Sequence, residues 1–393
     1  MRVSVGQASK PQGRRIGRDF LWIALFALVF INGLEDGGYQ ASLYAIGQEY
    51  DLSMTSMGIY ASMELFATML APILLGSWAD RGGKARSMGI LLGLQIAATL
   101  AIVAVRHQLL FLLCVFVLGL TTSALHFIAI ATLADAYPMS AKKKIGYITS
   151  MYATGALISP LVVSAYLQLG MGWRTLFAIL SVGSVLALVG ILRSGTEQRE
   201  RGTAQGPEEQ GTGRLVVGAI LLLCVVMCIY VGFENGFAYF VDTLFTDVFK
   251  SSTGKLALSL FWAVMIPARI LVGHFSKHAY KILLGTVIVI PVVTLLVSVS
   301  QHANVVLALC IPLGLASGAV YPSVLSLMLP YAGKQTATAT GMITTSTGVG
   351  GMVFTILTGF MADHLGMRMA MAILACFFVF ALASVLGLKR IKA

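Results

Sequence analysis

Twelve long apolar stretches follow one another along the chain, and short polar connections separate them. Each stretch has the length that an α-helix needs to cross the hydrocarbon core of a bilayer, about 20 residues. The pattern predicts an all-α membrane protein with twelve transmembrane helices, at 19–45, 55–79, 86–105, 108–136, 145–169, 174–193, 215–245, 256–275, 281–300, 303–330, 337–362 and 369–388.

One connection is longer and more polar than the others. The stretch 193–214 is rich in Gly, Glu, Arg and Gln, so it lacks the apolar residues that a packed core requires. It divides the chain into two six-helix segments, 1–192 and 215–393. Glycines occur at corresponding positions on the two sides of this division. For example, Gly155 of the fifth stretch corresponds to Gly350 of the eleventh, 195 positions later. The sequence therefore predicts two pseudo-symmetric halves joined by a linker.

Composition and charge agree with a membrane protein. The chain is 58% hydrophobic and 11% charged, and its net charge is +11. Of the basic residues, 21 lie in the N-terminal tail, the even-numbered connections and the C-terminal tail, whereas the opposite connections hold 5. This asymmetry predicts that both termini are cytoplasmic, and it explains the charge through topology and anionic lipid rather than nucleic acid. We expect a multi-pass protein of a bacterial inner membrane that acts as a monomer.

A carboxylate motif occurs once in each half. Gly33-Leu34-Glu35-Asp36-Gly37 lies in the first apolar stretch, and Gly232-Phe233-Glu234-Asn235-Gly236 lies in the seventh, 199 positions later. A charged residue inside a membrane helix costs about 2.5–3.5 kcal/mol on insertion scales, so such residues usually mark a pathway, a proton relay or a binding site. The repeated motif predicts a transport site between the two halves. The chain shows no catalytic or phosphate-binding motif, so we expect no enzyme activity, no cofactor and no bound metal.

The first helix carries one polar face. Asn32, Glu35, Asp36 and Tyr39 fall within roughly 100° of arc at 3.6 residues per turn. An amide, two carboxylates and a phenol suit a hydroxylated ligand. Two neighbouring carboxylates repel each other in a low dielectric, so one of them is expected to gain and lose a proton, unless it pairs with a buried base such as Arg269.

Other polar and aromatic residues are candidates for the same site. Glu64 and His126 are either part of a proton relay or structural groups that bond between helices. Asp242 and Asp247, near the outer end of the seventh helix, are expected to be solvated. Aromatic and amide side chains at a similar depth are candidates for solute binding, or they serve packing alone: Tyr152, Tyr230, Asn235 and Trp262.

The connection after the second helix carries a motif of known type. Gly76-Ser77-Trp78-Ala79-Asp80-Arg81-Gly82-Gly83-Lys84-Ala85-Arg86 resembles the signature of the major facilitator superfamily, G-x-x-x-D-R-x-G-R-K-x. The resemblance implies the twelve-helix fold of that superfamily, with a latch on the cytoplasmic gate formed by Gly76, Asp80, Arg81, Gly83, Lys84 and Arg86. The alternative is a generic basic cytoplasmic connection.

Within the superfamily, the chain looks most like the fucose–galactose–glucose:proton symporter branch. Four passages carry this resemblance: Asn32-Gly33-Leu34-Glu35-Asp36, Tyr230 to Glu234, the glycines and proline at Gly314, Gly318 and Pro322, and Gly359 to Gly366. The resemblance implies that Asp36 serves sugar binding and proton transfer. The fourth helix lacks the glutamate of that branch, and His126 is the nearest titratable group, so whether His126 replaces it stays open.

Two transport functions remain in competition. The first is symport of a small polar, sugar-like solute with protons, carried by Asp36, Glu35, Glu234, His126 and Glu64. Sodium is the alternative coupling ion. The second is proton-coupled export of drug-like or amphipathic compounds, favoured by Gly155-Ala156-Leu157-Ile158-Ser159-Pro160, a partial match to an antiporter motif in which Ser159 replaces a glycine.

Overall fold

A computed structural model describes residues 15–104, 106–136, 141–194, 215–333 and 335–391. Within these ranges only the backbone is described at 15–20, 77, 80, 134–135, 141–146, 273–274, 276 and 336–338. The predicted linker 193–214 lies almost wholly outside the described residues, and so do the side chains of Asp80 and Asp135. The division of the chain at that linker therefore stays a prediction.

Twelve long α-helices account for most of the described residues, and all twelve are long and apolar enough to cross a membrane. This confirms the predicted helices. They are α1 Arg15–Tyr50, α2 Met54–Gly82, α3 Lys84–Ala104, α4 Gln108–Ala136, α5 Ala141–Gln168, α6 Arg174–Arg193, α7 Val217–Thr243, α8 Gly254–His274, α9 Ala279–Val299, α10 Ala303–Ala332, α11 Thr336–Leu365 and α12 Met367–Leu388.

Several helices run past the apolar stretches, because polar residues near the bilayer surface still complete helical hydrogen bonds. The end of α7 continues as a π-helical turn at Leu244–Val248. Ser53 caps α2 by accepting the N–H of Ser56 at 3.1 Å. Gly83 ends α2 at φ 85°, a left-handed conformation that favours glycine and lets α3 begin at the next residue. The tight connection keeps the motif residues on one membrane face.

Equivalent helices of the two halves pack in equivalent ways. The pairs α1–α5 and α7–α11 make the most extensive contacts within their halves, and α2–α4 and α8–α10 correspond in the same way. Gly155 packs directly on the backbone of α1 at Phe30, and Gly350 packs on the backbone of α7 at Cys228. A side chain at either position would separate the helices, so the repeated glycines serve close packing of corresponding pairs.

Among the described residues, the most extensive contacts between the two halves are made by three helix pairs. These are α2–α11, α5–α8 and α1–α7, of which the first two correspond under the pseudo-symmetry. We call the membrane face at the α1–α2 connection (51–53) the distal face, and the face at the α2–α3 connection (Gly83) the proximal face. Helices α1 and α7 both run from the proximal to the distal face, and Glu234 interacts electrostatically with Asp36, so the two carboxylate motifs approach each other between the halves.

Of the two acids at the distal end of α7, Asp242 is not solvated as the sequence suggested, whereas Asp247 is partly exposed. Asp242 is buried, with 3% of its side chain exposed, and it pairs with Lys255 of α8 at 2.5 Å. Asp247 accepts a hydrogen bond from Tyr44 of α1 at 2.7 Å. The expectation was wrong for Asp242 because α8 packs against this end of α7 and brings Lys255 to the carboxylate, which is invisible in a linear pattern.

Candidate functional site

Three carboxyl groups lie together between α1 and α2. Glu35 and Glu64 are buried, and Asp36 is partly buried beside them. The three groups interact electrostatically with one another. Among the described residues, no lysine or arginine contacts this cluster. Three unpaired negative charges in a low dielectric would cost several kcal/mol each, on the order of the penalty for burying isolated ions, so the cluster must hold at least one proton.

Neighbouring helices supply hydrogen-bond donors to these acids. Tyr152 of α5 donates to Asp36 Oδ2 at 3.0 Å, and Gln40, one turn further along α1, donates to Asp36 Oδ1 at 3.1 Å. Tyr239 of α7 donates to Glu64 Oε2 at 2.5 Å. Neutral donors stabilise a carboxylate without cancelling its charge, so these acids remain free to exchange a proton.

Several polar atoms around the acids have no hydrogen-bond partner. Asn32 donates to the Thr122 carbonyl of α4 at 3.1 Å, yet its buried Oδ1 accepts nothing. The rings of His126 and Tyr152 pack edge to face, with 4.9 Å between their centroids, and Nδ1 of His126 has no hydrogen-bond partner. The other unpartnered atoms of this group are Glu35 Oε2 and Thr122 Oγ1. Buried polar atoms are rarely left unsatisfied, so this concentration of them indicates a place that a polar ligand or water occupies.

The second half presents a basic residue to the same region. Arg269 Nη2 of α8 lies 3.5 Å from Glu234 Oε1 of α7. The guanidinium also interacts electrostatically with Tyr230 of α7 and with Tyr152 of the first half. The site therefore contains acids from α1 and α2, an acid–base pair from α7 and α8, and Tyr152 between them.

Two predicted solute-binding residues have other partners. Asn235 donates to the Val231 carbonyl of its own helix at 2.9 Å, and its amide lies against Gly351 of α11. Tyr39 donates to the Tyr60 carbonyl at 3.1 Å and packs edge-on against Tyr239. The hydroxyl of Tyr39 is used by the Tyr60 carbonyl, although the phenol still interacts electrostatically with Glu35 and Glu64.

A series of hydrogen bonds joins the halves from the acidic cluster to the distal face. The series links α1 and α2 of the first half to α7, α8 and α11 of the second, so the halves are held together on this side. The bonds are Tyr239 to Glu64 at 2.5 Å, Trp262 Nε1 to Gln40 Oε1 at 3.2 Å, Tyr44 to Asp247 at 2.7 Å, and Met54 and Thr55 N–H to Asp363 at 2.7 Å each.

Contact between α2 and α11 decreases toward the proximal face. Gly348 packs against the Met69 side chain across the interface. About two turns nearer the proximal face, Gly76 and Gly341 have no heavy atom within 4 Å of the position of a Cβ. The halves are thus joined by hydrogen bonds on the distal side, whereas the contact between α2 and α11 is looser on the proximal side.

The predicted gate motif lies at the proximal end of α2. Arg81 and Arg86 are exposed, Gly83 forms the turn, and Lys84 begins α3. Because the side chain of Asp80 lies outside the described residues, its predicted contacts are not tested. The role of the motif as a latch stays a prediction.

Sequence analysis did not single out Gln40 and Thr122. Gln40 had a signal, since it lies four residues after Asp36 on the same helix face. Thr122 had none, because a threonine in an apolar helix most often bonds to its own backbone. Arg269 was noted only as a possible base for the acids of α1, whereas the structure pairs it with Glu234.

Comparison with known proteins shows what the chain resembles. A sequence profile of the Major Facilitator Superfamily matches residues 25–355. No curated protein sequence matches the chain significantly.

Solved structures of low identity share the fold. A bacterial homolog of the human lysosomal transporter Spinster, in an inward-facing and occupied conformation, superposes with a TM-score of 0.82 at 15% identity, over 96% of this chain and 98% of that one. The nucleoside transporter NupG superposes with a TM-score of 0.76 at 13% identity, over 95% and 100%. The human organic anion transporter MFSD10 (TETRAN) superposes with a TM-score of 0.64 at 15% identity, over 96% of this chain and 100% of that one. These similarities confirm the twelve-helix fold, while the resemblance to the fucose–galactose–glucose:proton symporter branch stays a prediction.

Proposed function

Because the chain belongs to the Major Facilitator Superfamily, a family of membrane transporters, we propose that it is a secondary active transporter that carries a small polar, hydroxylated solute together with protons. The solved neighbours of this fold are named for different solutes, among them nucleosides and organic anions. The fold alone therefore does not identify the solute, and the chemistry of the central site carries the proposal.

The observation that carries it is the acidic cluster of Glu35, Asp36 and Glu64 beside unpartnered polar atoms. If the cluster carries fewer negative charges than it has carboxyl groups, at least one carboxyl group is protonated. One proton can then bind or leave without a compensating cation, so the cluster can carry the transported proton. Solute hydroxyls satisfy Asn32 Oδ1 and the other free atoms around it. A bound solute and a bound proton then share Asp36, so each changes the affinity for the other.

Alternating access follows from the two halves. The hydrogen bonds on the distal side close the site to that face, and the weaker contact between α2 and α11 leaves the proximal side more open. If the predicted topology holds, the proximal face is cytoplasmic, and the structure represents an inward-facing state. Import requires the distal bonds to break and equivalent contacts to form on the proximal side while the halves rock about the central site.

The test uses the full-length protein in lightly buffered proteoliposomes. Addition of sugars and other small polar solutes is expected to make the external medium alkaline when the transported solute is present. Asp36→Asn is expected to abolish this response, because an amide cannot gain and lose the proton. Asp51→Asn, at an exposed acid in the α1–α2 connection, is the matched control and should retain it.

The same assay separates the alternatives. Solute uptake without external alkalinisation, but dependent on a sodium gradient, would replace the proton by sodium. An intact pH response in the double variant Glu35→Gln, Asp36→Asn would show that the acidic cluster does not carry the proton. Acidification on addition of drug-like compounds would support export instead.

A further inference from the structure

Arg269 has binding capacity that the protein does not use. A guanidinium carries five N–H donors in a planar fork. In this structure only Nη2 makes hydrogen bonds, to Glu234 Oε1 at 3.5 Å and to the Met265 sulfur at 3.2 Å. The first contact is long for an arginine–carboxylate pair, which is usually 2.7–2.9 Å. The side chain of Arg269 is 43% exposed, whereas that of Glu234 is 11% exposed, so a ligand in the central site can reach the guanidinium.

A second observation points to a ligand at the same place. The hydroxyl of Tyr230 is buried next to both Arg269 and Glu234 and interacts with each of them, but it makes no well-formed hydrogen bond to either. A phenol can donate to a carboxylate and accept from water or a hydroxyl. Tyr230 and Arg269 therefore offer unused donors to one point, beside the Tyr152 that bonds to Asp36.

The charges favour a monovalent anion. Arg269, paired with Glu234, is the one cationic side chain that the described residues bring to the central site, and the site also contains the carboxyl groups of Glu35, Asp36, Glu64 and Glu234. A single carboxylate matches the one guanidinium in charge and in bidentate geometry. A doubly charged phosphate group would leave a negative charge uncompensated near Glu35, Asp36 and Glu64.

We propose that Arg269 is the anion-binding residue of the central site, and that the solute is a hydroxylated carboxylic acid whose carboxylate replaces Glu234 on the guanidinium. The inference rests on the proposed function and specifies its solute class. Glu234 holds Arg269 while the site is empty. Protonation of Glu234 releases the guanidinium, the solute carboxylate binds Arg269 and Tyr230, and the solute hydroxyls face Asn32, Asp36 and Tyr152. One proton then accompanies one carboxylate, so the net charge of the site does not change.

The test compares neutral and acidic solutes of matched size. Wild-type protein in proteoliposomes is given labelled D-glucose or D-glucuronate, D-galactose or D-galacturonate, and glycerol or D-glycerate, while uptake and external pH are recorded together. At least one acid is expected to enter tenfold or more faster than its neutral counterpart. Arg269→Gln should lower that uptake tenfold or more. Arg269→Lys, which keeps the charge but loses the fork, should retain part of it, and Arg106→Gln, at an exposed connection residue, should match the wild type.

The variant Glu234→Gln tests the exchange of partners. In the wild type, the apparent affinity for the acid should rise as the pH falls, because protonation of Glu234 frees Arg269. With glutamine at this position, the affinity should change less between pH 6 and pH 8 than in the wild type, and the change that remains is the one due to Asp36. A merely structural role of Glu234 would leave the pH dependence intact.

The outcomes distinguish this inference from the proposed function. Neutral solutes taken up with protons as fast as their acids would overturn the anion site and leave proton symport standing. Uptake of an acid without proton movement, lost in Arg269→Gln, would support Arg269 as the anion-binding residue, but it would overturn both proton coupling and the exchange of Glu234 for the solute carboxylate. Neither uptake nor thermal stabilisation by any of the three acids would overturn the inference, and so would full retention of acid uptake in both Arg269 variants.

Discussion

Asp363, in the last turn of α11, accepts hydrogen bonds from the backbone N–H and the hydroxyl of Thr55 at the start of α2, at 2.7 and 2.5 Å. Its other carboxylate oxygen accepts the N–H of Met54 at 2.7 Å. A side chain of the second half thus caps a helix of the first half. Helix N-termini have free N–H groups and a partial positive charge, which favours a carboxylate there. The contact exists only while the distal side is closed.

Substitution of Asp363 should therefore shift the conformational equilibrium toward distal opening. Loss of a cap costs about 1 kcal/mol, roughly a fivefold change in an equilibrium constant. Spin labels at Met171 and His302, exposed residues of opposite halves on the distal face, report the separation by pulsed electron paramagnetic resonance in a cysteine-free background. We expect Asp363→Ala to increase the long-distance population about fivefold by the same estimate.

The amide variants provide the control. Asp363→Asn retains one accepting oxygen and should have a smaller effect than alanine. Asp51→Asn removes an exposed acid from the same face and should leave the distance distribution unchanged. Equal distributions in Asp363→Ala and the parent protein would contradict a role in closure.

The bond from Tyr239 to Glu64 should be the strongest of the distal series. Both residues are buried, and the bond joins a phenol to a carboxyl group at 2.5 Å. A hydrogen bond to a charged group contributes about 1.5–3 kcal/mol, and water cannot replace it at a buried position. Tyr239→Phe keeps the edge-on packing on Tyr39 and should lower the thermal midpoint in detergent.

Tyr44→Phe is the matched comparison. It removes another phenol-to-carboxylate bond between the halves, to Asp247 at 2.7 Å, but Tyr44 and Asp247 are both partly exposed. Water can take the place of the lost donor, so the decrease should be smaller. A larger decrease in Tyr44→Phe than in Tyr239→Phe would contradict this ranking.

Substitution of only one residue of the ion pair between Asp242 and Lys255 should strongly lower the stability of the protein. The two side chains are 3% and 14% exposed, and the charges lie 2.5 Å apart. Removal of one partner from a buried pair costs about 3–5 kcal/mol, because the other charge remains buried. Lys255→Met should strongly lower the yield of folded protein or its thermal midpoint, measured by size-exclusion chromatography after heating.

Two variants make this measurement specific. Lys281→Met removes an exposed lysine of α9 and should behave as the wild type. The double variant Asp242→Asn, Lys255→Met removes the stranded charge and should recover part of the loss. No difference between the single and double variants would show that packing, not charge, sets the effect.

Substitution by alanine should have opposite effects on stability at two glycines of α11. A Cβ at Gly350 would overlap the backbone of Cys228 in α7, whereas a Cβ at Gly341 meets open space. Overpacking of a tight contact costs about 1–3 kcal/mol, while glycine to alanine in an unstrained helix stabilises by about 0.4–1 kcal/mol. Gly350→Ala should lower the thermal midpoint, and Gly341→Ala should keep or raise it. A greater loss in Gly341→Ala would contradict the packing described for this helix.

The helices were predictable because their signal is local. An apolar run of sufficient length in a bilayer has few alternatives to a helix, since every backbone N–H and C=O must bond within the segment. The glycine repeat predicted two related halves, and the structure shows that Gly155 and Gly350 pack in corresponding helix pairs. The acids of α1 could be identified because carboxyl groups are rare within long apolar stretches, where their insertion into a membrane is unfavourable.

Partners between distant segments were not predictable. Glu64 and Tyr239 are 175 positions apart, and nothing in either local sequence indicates the other. Asp242 was expected to be solvated from its place near a helix end, yet α8 packs against this end of α7 and brings Lys255 to the carboxylate. Tyr39 shares a helix face with Asp36, but the approach of α2 and α7 directs its hydroxyl to Tyr60 and its ring to Tyr239.

The sequence by itself determined that the chain is a membrane protein of twelve helices, that its halves are related, and that acids of α1 and α7 lie at equivalent depths. Those conclusions depend on hydrophobicity, on the length of each apolar stretch and on an internal repeat, all of which can be recognised along the sequence without knowing how the helices cross. Only the tertiary structure decided that Arg269 faces Glu234, that Tyr152 donates to Asp36, and that Asp363 caps α2. These relationships depend on how helices cross, and crossing is set by the shapes of many side chains together rather than by any short pattern in the chain.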